Sequence, residues 1–334
     1  MASTVIPLIV EIIIVFLQLV MVICNGFTVF LFKKYNIHLP FREKSLRQNS
    51  SMLMVLLLAT TDFLHAITTL PYSIYLISSW NPDYLNLNPY YILIGSAPFF
   101  IHLKISLTLI ICIAADRILV LYFPIMYHKL SSHSYAKFCL SLGIALGVLD
   151  LILEFSTTPI KNSENCPSIG CFISDSFSYY MGTSNMVMGV IMFVLTTLIL
   201  IKLHVMRQKP QRRGTVTTSR EKLLKQSDSI ILLLFWINRE CAGILITSLL
   251  FVTLPSIGIG ICSMTGCQIS RSFGPLYFFA LLCAGVCNNV MHVALNKNIR
   301  ESVVKSIKKH AYIKPVYSIK RVCTKPEIRW ITII

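Results

Sequence analysis

The chain has 334 residues, of which 55% are hydrophobic and only 13% charged. An average soluble domain carries about 25% charged residues, so this chain has more apolar surface than one water-soluble core can bury, and lipid must take the rest. A formal charge of +16 would suit nucleic acid, but the basic residues sit in short runs between apolar stretches and no aromatic-basic RNA module is present, so no nucleic-acid partner is expected.

A helix needs about 20 largely apolar residues to cross a bilayer. In chain order, seven stretches meet that need: roughly 5–32, 52–79, 91–115, 136–156, 178–202, 231–261 and 274–295. The expected fold is an all-α membrane protein, a bundle of seven transmembrane helices. The first stretch is not a cleavable signal peptide, because it is too long, no basic residue precedes it, and it ends on Lys33-Lys34. Of the 30 Lys and Arg residues, all but Lys104, Lys161 and Arg271 fall after the first, third and fifth spans, at the entry to the sixth, or in the tail. The positive-inside rule then predicts an extracellular N-terminus and a cytosolic C-terminus. Asn238-Arg239-Glu240 interrupts the sixth stretch, which reads best as a long helix with a cytosolic extension. Past the seventh span, apolar residues at 299, 303, 304 and 307 oppose basic ones at 300, 305, 308 and 309. That pattern predicts a short amphipathic eighth helix at about 297–310 on the anionic inner leaflet. The chain thus divides into a membrane domain over 1–310 and a basic cytosolic tail over 311–334.

Polar groups inside a span are costly, so each is a functional candidate. Asn25, Asp62 and Asn288 lie on three helices and predict a hydrogen-bonded cluster, holding water or a cation or serving as interhelical glue worth about 1 kcal/mol. Asp116-Arg117 ends the third stretch, where an arginine can snorkel to the interface. Glu11 is expected to hydrate at the outer interface. Gly143-x-x-x-Gly147 predicts close packing inside the bundle, with a dimer face as the weaker reading. Phe99, Phe100 and the aromatic residues at 277–279 are candidates for an apolar pocket or for plain packing. Cys166, Cys171, Cys262 and Cys267 fall in two outer segments, where oxidising conditions favour pairing in one of three connectivities. Cys283 and Cys287 share a helix face but lack a histidine pair, so neither a metal nor a cofactor is expected.

Taken together these motifs resemble rhodopsin-like G-protein-coupled receptors. Asp116-Arg117-Ile118, followed by Tyr122-Phe123-Pro124-Ile125-Met126-Tyr127, is similar to their third-helix Asp-Arg-Tyr signature and the proline-bearing loop after it. Asn288-Asn289-Val290-Met291-His292 and the run to Arg300 is similar to their Asn-Pro-x-x-Tyr end and the start of their eighth helix. Asp62 matches the second-helix aspartate, and Pro255 stands for the sixth-helix proline. The departures are Asn289 for the proline, His292 and Ile118 for the two tyrosines, and Thr253 for the sixth-helix tryptophan. No cysteine lies near the outer end of the third span, so the usual disulfide from that helix cannot form. This divergent pattern resembles nematode serpentine chemoreceptors. The stretch Cys166-Pro-Ser-Ile-Gly-Cys171-Phe172, leading to Tyr179-Tyr180 and Ser184-Asn185-Met186, is most similar to serpentine receptor class BC.

The resemblance implies an olfactory signal-transduction receptor of the plasma membrane, in a sensory cilium. It implies a small odorant or pheromone-like ligand among the outer helix halves and an outward swing of the sixth helix. A heterotrimeric G protein would be received at Arg117, with Asp116, Asn288, Asn289, His292 and Pro255 in the switch. It also makes the third and fourth helices antiparallel neighbours. Lys104 lies thirteen residues outward of Arg117, and Asp150 lies thirteen residues from Lys137, so the two are expected at similar depth as an intramembrane ion pair. Glu154, one turn further out, is the alternative partner; the rival reading is that Lys104 binds an acidic ligand in the pocket. A ligand-gated channel or a non-signalling subunit is the competing function. A channel of the insect odorant-receptor type has a cytosolic N-terminus, which the basic residues oppose. A transporter would carry inverted repeats. An enzyme is not expected, since phosphate-binding glycine loops, His-Glu-x-x-His and a serine elbow are absent from the sequence.

Overall fold

The computed structural model describes residues 2–36, 49–81, 87–123, 132–160, 169–208, 241–265, 270–295 and 300. Among them are seven helices long and apolar enough to cross a bilayer, and no strand. These are α1 (Ala2–Asn36), α2 (Asn49–Ser78), α3 (Pro89–Tyr122), α4 (Ser132–Thr157), α5 (Asp175–Gln208), α6 (residues 241–264) and α7 (Ser270–Leu295). We call upper the end of the bundle at which α1, α3, α5 and α7 begin.

Each helix follows from a local pattern. In α1 the residues Glu11, Ile14, Gln18, Met21, Asn25, Thr28 and Leu31 are buried. Their spacing of three or four puts them on one face. The opposite face, with Ile12, Phe16, Leu19, Ile23, Phe27 and Phe30, is exposed. So is the apolar face of α4, with Phe138, Leu142, Val148, Ile152 and Phe155. Water would not tolerate such surfaces, so they face lipid, and the protein is multi-pass. The burial of Glu11 corrects the expectation that it hydrates at the interface: helical spacing places it on the inward stripe.

α3 starts at Asn88, whose side-chain oxygen accepts from the backbone N–H of Tyr90 at 3.0 Å, with Pro89 in the first turn. It runs to Tyr122, seven residues past the expected end, because Asp116-Arg117-Ile118-Leu119-Val120-Leu121 contains no helix breaker. Asp116 and Arg117 are therefore buried within the helix, and Arg117 does not snorkel.

α6 carries a widened turn. Leu249–Thr253 is π-helical, with the Leu254 N–H bonded to the Leu249 carbonyl five residues back. The cause is Pro255, which has no N–H to give to the turn before it. The α6 residues before Cys241, including the Asn238-Arg239-Glu240 interruption, lie outside the described residues. So do the amphipathic segment, except Arg300, and the basic tail. Arg300 donates from Nη1 to the Ala294 carbonyl at 3.4 Å, closing the end of α7.

Two close approaches set the register around the site. A Cβ on Gly143 would lie 3.1 Å from the Ile105 Cα, and one on Gly147 3.0 Å from the Ile101 Cα. α4 thus lays this glycine face against the α3 backbone, which uses it inside the bundle and takes it away from a dimer contact. α6 packs on α5 in the same way, since a Cβ on Gly260 would lie 2.9 Å from the Gly182 carbonyl oxygen.

Candidate functional site

Lys104 is the largest wholly enclosed side chain of α3. Its Nζ donates to Ser184 Oγ and to Asn185 Oδ1, both at 2.7 Å, and lies 3.4 Å from Asp150 Oδ2. Tyr180 completes the group, donating its hydroxyl to Asp150 Oδ1 at 3.0 Å. The glycine register refines the depth argument. It sets Asp150 level with residue 98, so Asp150 stands six residues, about 9 Å, above Lys104. Side chains lean toward the N-terminus of their own helix. Lys104 therefore leans up and Asp150 leans down, and the two meet. Glu154, a turn higher, is wholly buried, and neither of its oxygens has a hydrogen-bond partner among the described residues.

Directly beside this group is a partly open cavity of about 90 Å³. Phe99 and Phe100 from α3, Phe177, Met181 and Asn185 from α5, and Ser256 and Tyr277 from α6 and α7 line it. Ile169 and Gly170, on the 3₁₀ turn Ile169–Cys171, complete the lining. The rings lock edge to face: Phe99 on Phe100 at 5.2 Å, Phe99 on Tyr277 at 6.1 Å, and Phe100 on Phe177 at 5.6 Å. Phe99 and Phe100 thus both pack and line. Lys104 is not among the lining residues; Asn185 connects it to the cavity.

The three-residue cluster expected at Asn25, Asp62 and Asn288 is divided. Asn289 Nδ2 donates to Asn25 Oδ1 at 2.9 Å and to Thr28 Oγ1 at 3.0 Å, tying α7 to α1. Asn288 Nδ2 reaches Ser248 Oγ on α6 at 3.4 Å. Successive residues on a helix point about 100° apart, so the two asparagines face different neighbours. Asp62 Oδ1 lies 3.2 Å from His102 Nε2, and the His102 ring stacks on that of His65 at 4.1 Å.

At the lower end, Arg117 Nη2 pairs with Asp116 Oδ2 at 2.5 Å. His292 is buried and stacks on Phe32 with ring centroids 5.6 Å apart. Thr253, in the π turn below Pro255, donates to Met192 Sδ on α5 at 3.2 Å. The four-cysteine pairing needs correction. Cys171 is disulfide-bonded, but Cys262 is not. Cys262 takes part in all three complete connectivities, so none of them forms. The reason is that α6 runs on to Met264, holding Cys262 on a helical turn and not in a loop. Cys166 and Cys267 lie outside the described residues.

His65, His102, Ser184, Asn185 and Tyr180 are the residues that sequence reasoning passed over as site members. The signal was present: each is a polar side chain within an apolar span, the criterion that singled out Asp62 and Lys104. No curated protein matches the chain. The family model described as serpentine type 7TM GPCR chemoreceptor Srbc matches residues 10–273, and the chain belongs to that chemoreceptor family.

Proposed function

We propose that the upper end of the bundle faces the outside of the cell and that the cavity among α3, α5, α6 and α7 is the ligand site. The single observation that carries this is a partly open aromatic cavity with a few buried polar groups, the form that small-molecule sites take. Occupation of the cavity biases α6, which lines it through Ser256 and Ile259, just above Pro255 and the π turn. The lower half of α6 then swings outward about that turn. A heterotrimeric G protein enters beside Arg117, with Asp116, Asn288, Asn289 and His292 rearranging around it. The distribution of basic residues supports the orientation, with the N-terminus outside, the tail in the cytosol and the protein in the plasma membrane.

The test is a G-protein-dissociation reporter in a heterologous cell, comparing wild type with Arg117→Ala at matched surface levels. A basal or odorant-evoked signal that disappears in the variant is the expected result. A signal of equal size in the variant removes Arg117 from the mechanism. A ligand-evoked conductance without G-protein dissociation moves the protein to the channel class.

A further inference from the structure

We infer that the cavity takes a small uncharged molecule with an apolar body and one hydrogen-bond-accepting oxygen, read by the side-chain amide of Asn185. This rests on the proposal that the cavity is the ligand site.

The charge class follows from the lining. No described lining residue is Asp, Glu, Lys, Arg or His. Lys104, the cation bound to Asn185, donates to Ser184 and Asn185 and is ion-paired with Asp150 at 3.4 Å. An anionic ligand would have to displace a buried carboxylate to reach it. A cationic ligand would find no counter-charge in the lining and would lose its hydration on entry.

The polar match follows from proton accounting among the buried lining groups. Ser256 Oγ donates to the Val252 carbonyl at 2.6 Å. In its 2.6 Å contact with Tyr277, Ser256 must therefore accept, and the tyrosine proton is used there. Neither hydroxyl keeps a proton for a ligand. Asn185 differs. Lysine only donates, so the Asn185 oxygen faces Lys104 and the amide N–H groups are left for the cavity that Asn185 lines. The ammonium on its oxygen also polarises the amide and strengthens those donors. Lys104 is thus a positioning residue that sets which way Asn185 presents, and not a ligand counter-ion. Size completes the description: an apolar cavity of about 150 Å³ holds a benzene, so the partly open cavity of about 90 Å³ encloses a short chain, or part of a six-membered ring whose remainder lies in the opening.

The experiment uses the full chain, purified and reconstituted in lipid nanodiscs, with thermal unfolding as the readout and five six-membered-ring probes. Cyclohexanone and cyclohexanol are expected to raise the melting temperature in a dose-dependent way. Cyclohexanecarboxylate and cyclohexylamine are expected to have no effect, and methylcyclohexane to bind about tenfold more weakly than the ketone, for want of one hydrogen bond. Asn185→Leu should abolish the difference between ketone and hydrocarbon. Asn185→Asp keeps an acceptor for Lys104 while removing both donors; it guards against misfolding of the leucine variant and should lose cyclohexanone binding. Preferential binding of the carboxylate overturns the inference. So does a ketone-to-hydrocarbon ratio unchanged in Asn185→Asp, or failure of both neutral oxygenated probes to bind. The readout needs no G protein. A protein that binds cyclohexanone yet fails to signal keeps this inference and discards the coupling mechanism; one that signals to charged molecules alone does the reverse.

Discussion

Lys104 and Arg117 sit on the same helix and both are buried, yet their partners come from different places. Lys104 is held by Asp150 from α4 and by Ser184 and Asn185 from α5, so its contacts join three helices. Arg117 pairs with Asp116, the residue before it on α3. That contact, lying within one helix, does not itself join helices. A cation bridging three helices cannot be released without separating them. The upper half of α3 is therefore tied to α4 and α5 beside the cavity.

The largest expected effect breaks the first of these arrangements. Lys104→Met leaves Asp150 buried without its counter-charge and should cost about 3–5 kcal/mol, seen as loss of surface expression and a lower melting temperature. Adding Asp150→Leu should recover most of it, because an apolar pair of similar volume is about neutral. A double variant as damaged as the single one would show that the two residues do not act as a pair. Next in size is Gly147→Ala. Its methyl would press on the Ile101 backbone at 3.0 Å, which cannot yield as a side chain does, so a loss of about 1–3 kcal/mol is expected. Gly258→Ala, where a Cβ meets nothing within 4 Å, is the matched control and should not destabilise. Asn289→Ala removes the tie from α7 to Asn25 and Thr28 and should cost about 1 kcal/mol in thermal stability.

The bundle was legible in the sequence because lipid demands long apolar runs, and each of the seven helices overlaps its expected stretch. Their ends were less so. α3 overran its apolar stretch because burial of Asp116 and Arg117 depends on neighbouring helices, which hydropathy does not see. Lys104 and Asp150 were legible as two costly residues, but their meeting depends on the glycine register and on the opposite lean of the two side chains. The Asn25, Asp62 and Asn288 cluster failed because similar depth says nothing about direction: the 100° step from Asn288 to Asn289 sends them to different helices. The cavity was legible in part, through Phe99, Phe100 and Tyr277; its other walls come from α5, α6 and the 3₁₀ turn, distant in sequence and joined only by packing.

The smallest expected effect sharpens the comparison most. Asp150 and Glu154 lie one turn apart on α4, and both are wholly or almost wholly buried. Asp150 meets Lys104, whereas Glu154 reaches no donor among the described residues. Changing carboxyl to amide keeps shape and volume at either position while removing the capacity for charge. At Asp150 the change strips Lys104 of its counter-charge, so Asp150→Asn should lose several kcal/mol, on the order of the Lys104→Met cost. At Glu154 there is no described partner to lose, and exchanging one unpaired buried polar group for another should cost far less than Asp150→Asn. Melting temperatures of the two variants measured side by side decide the matter. If Glu154→Gln costs as much as Asp150→Asn, then Glu154 shares the lysine, and the group beneath the cavity is a network of two carboxylates and one cation in place of a pair.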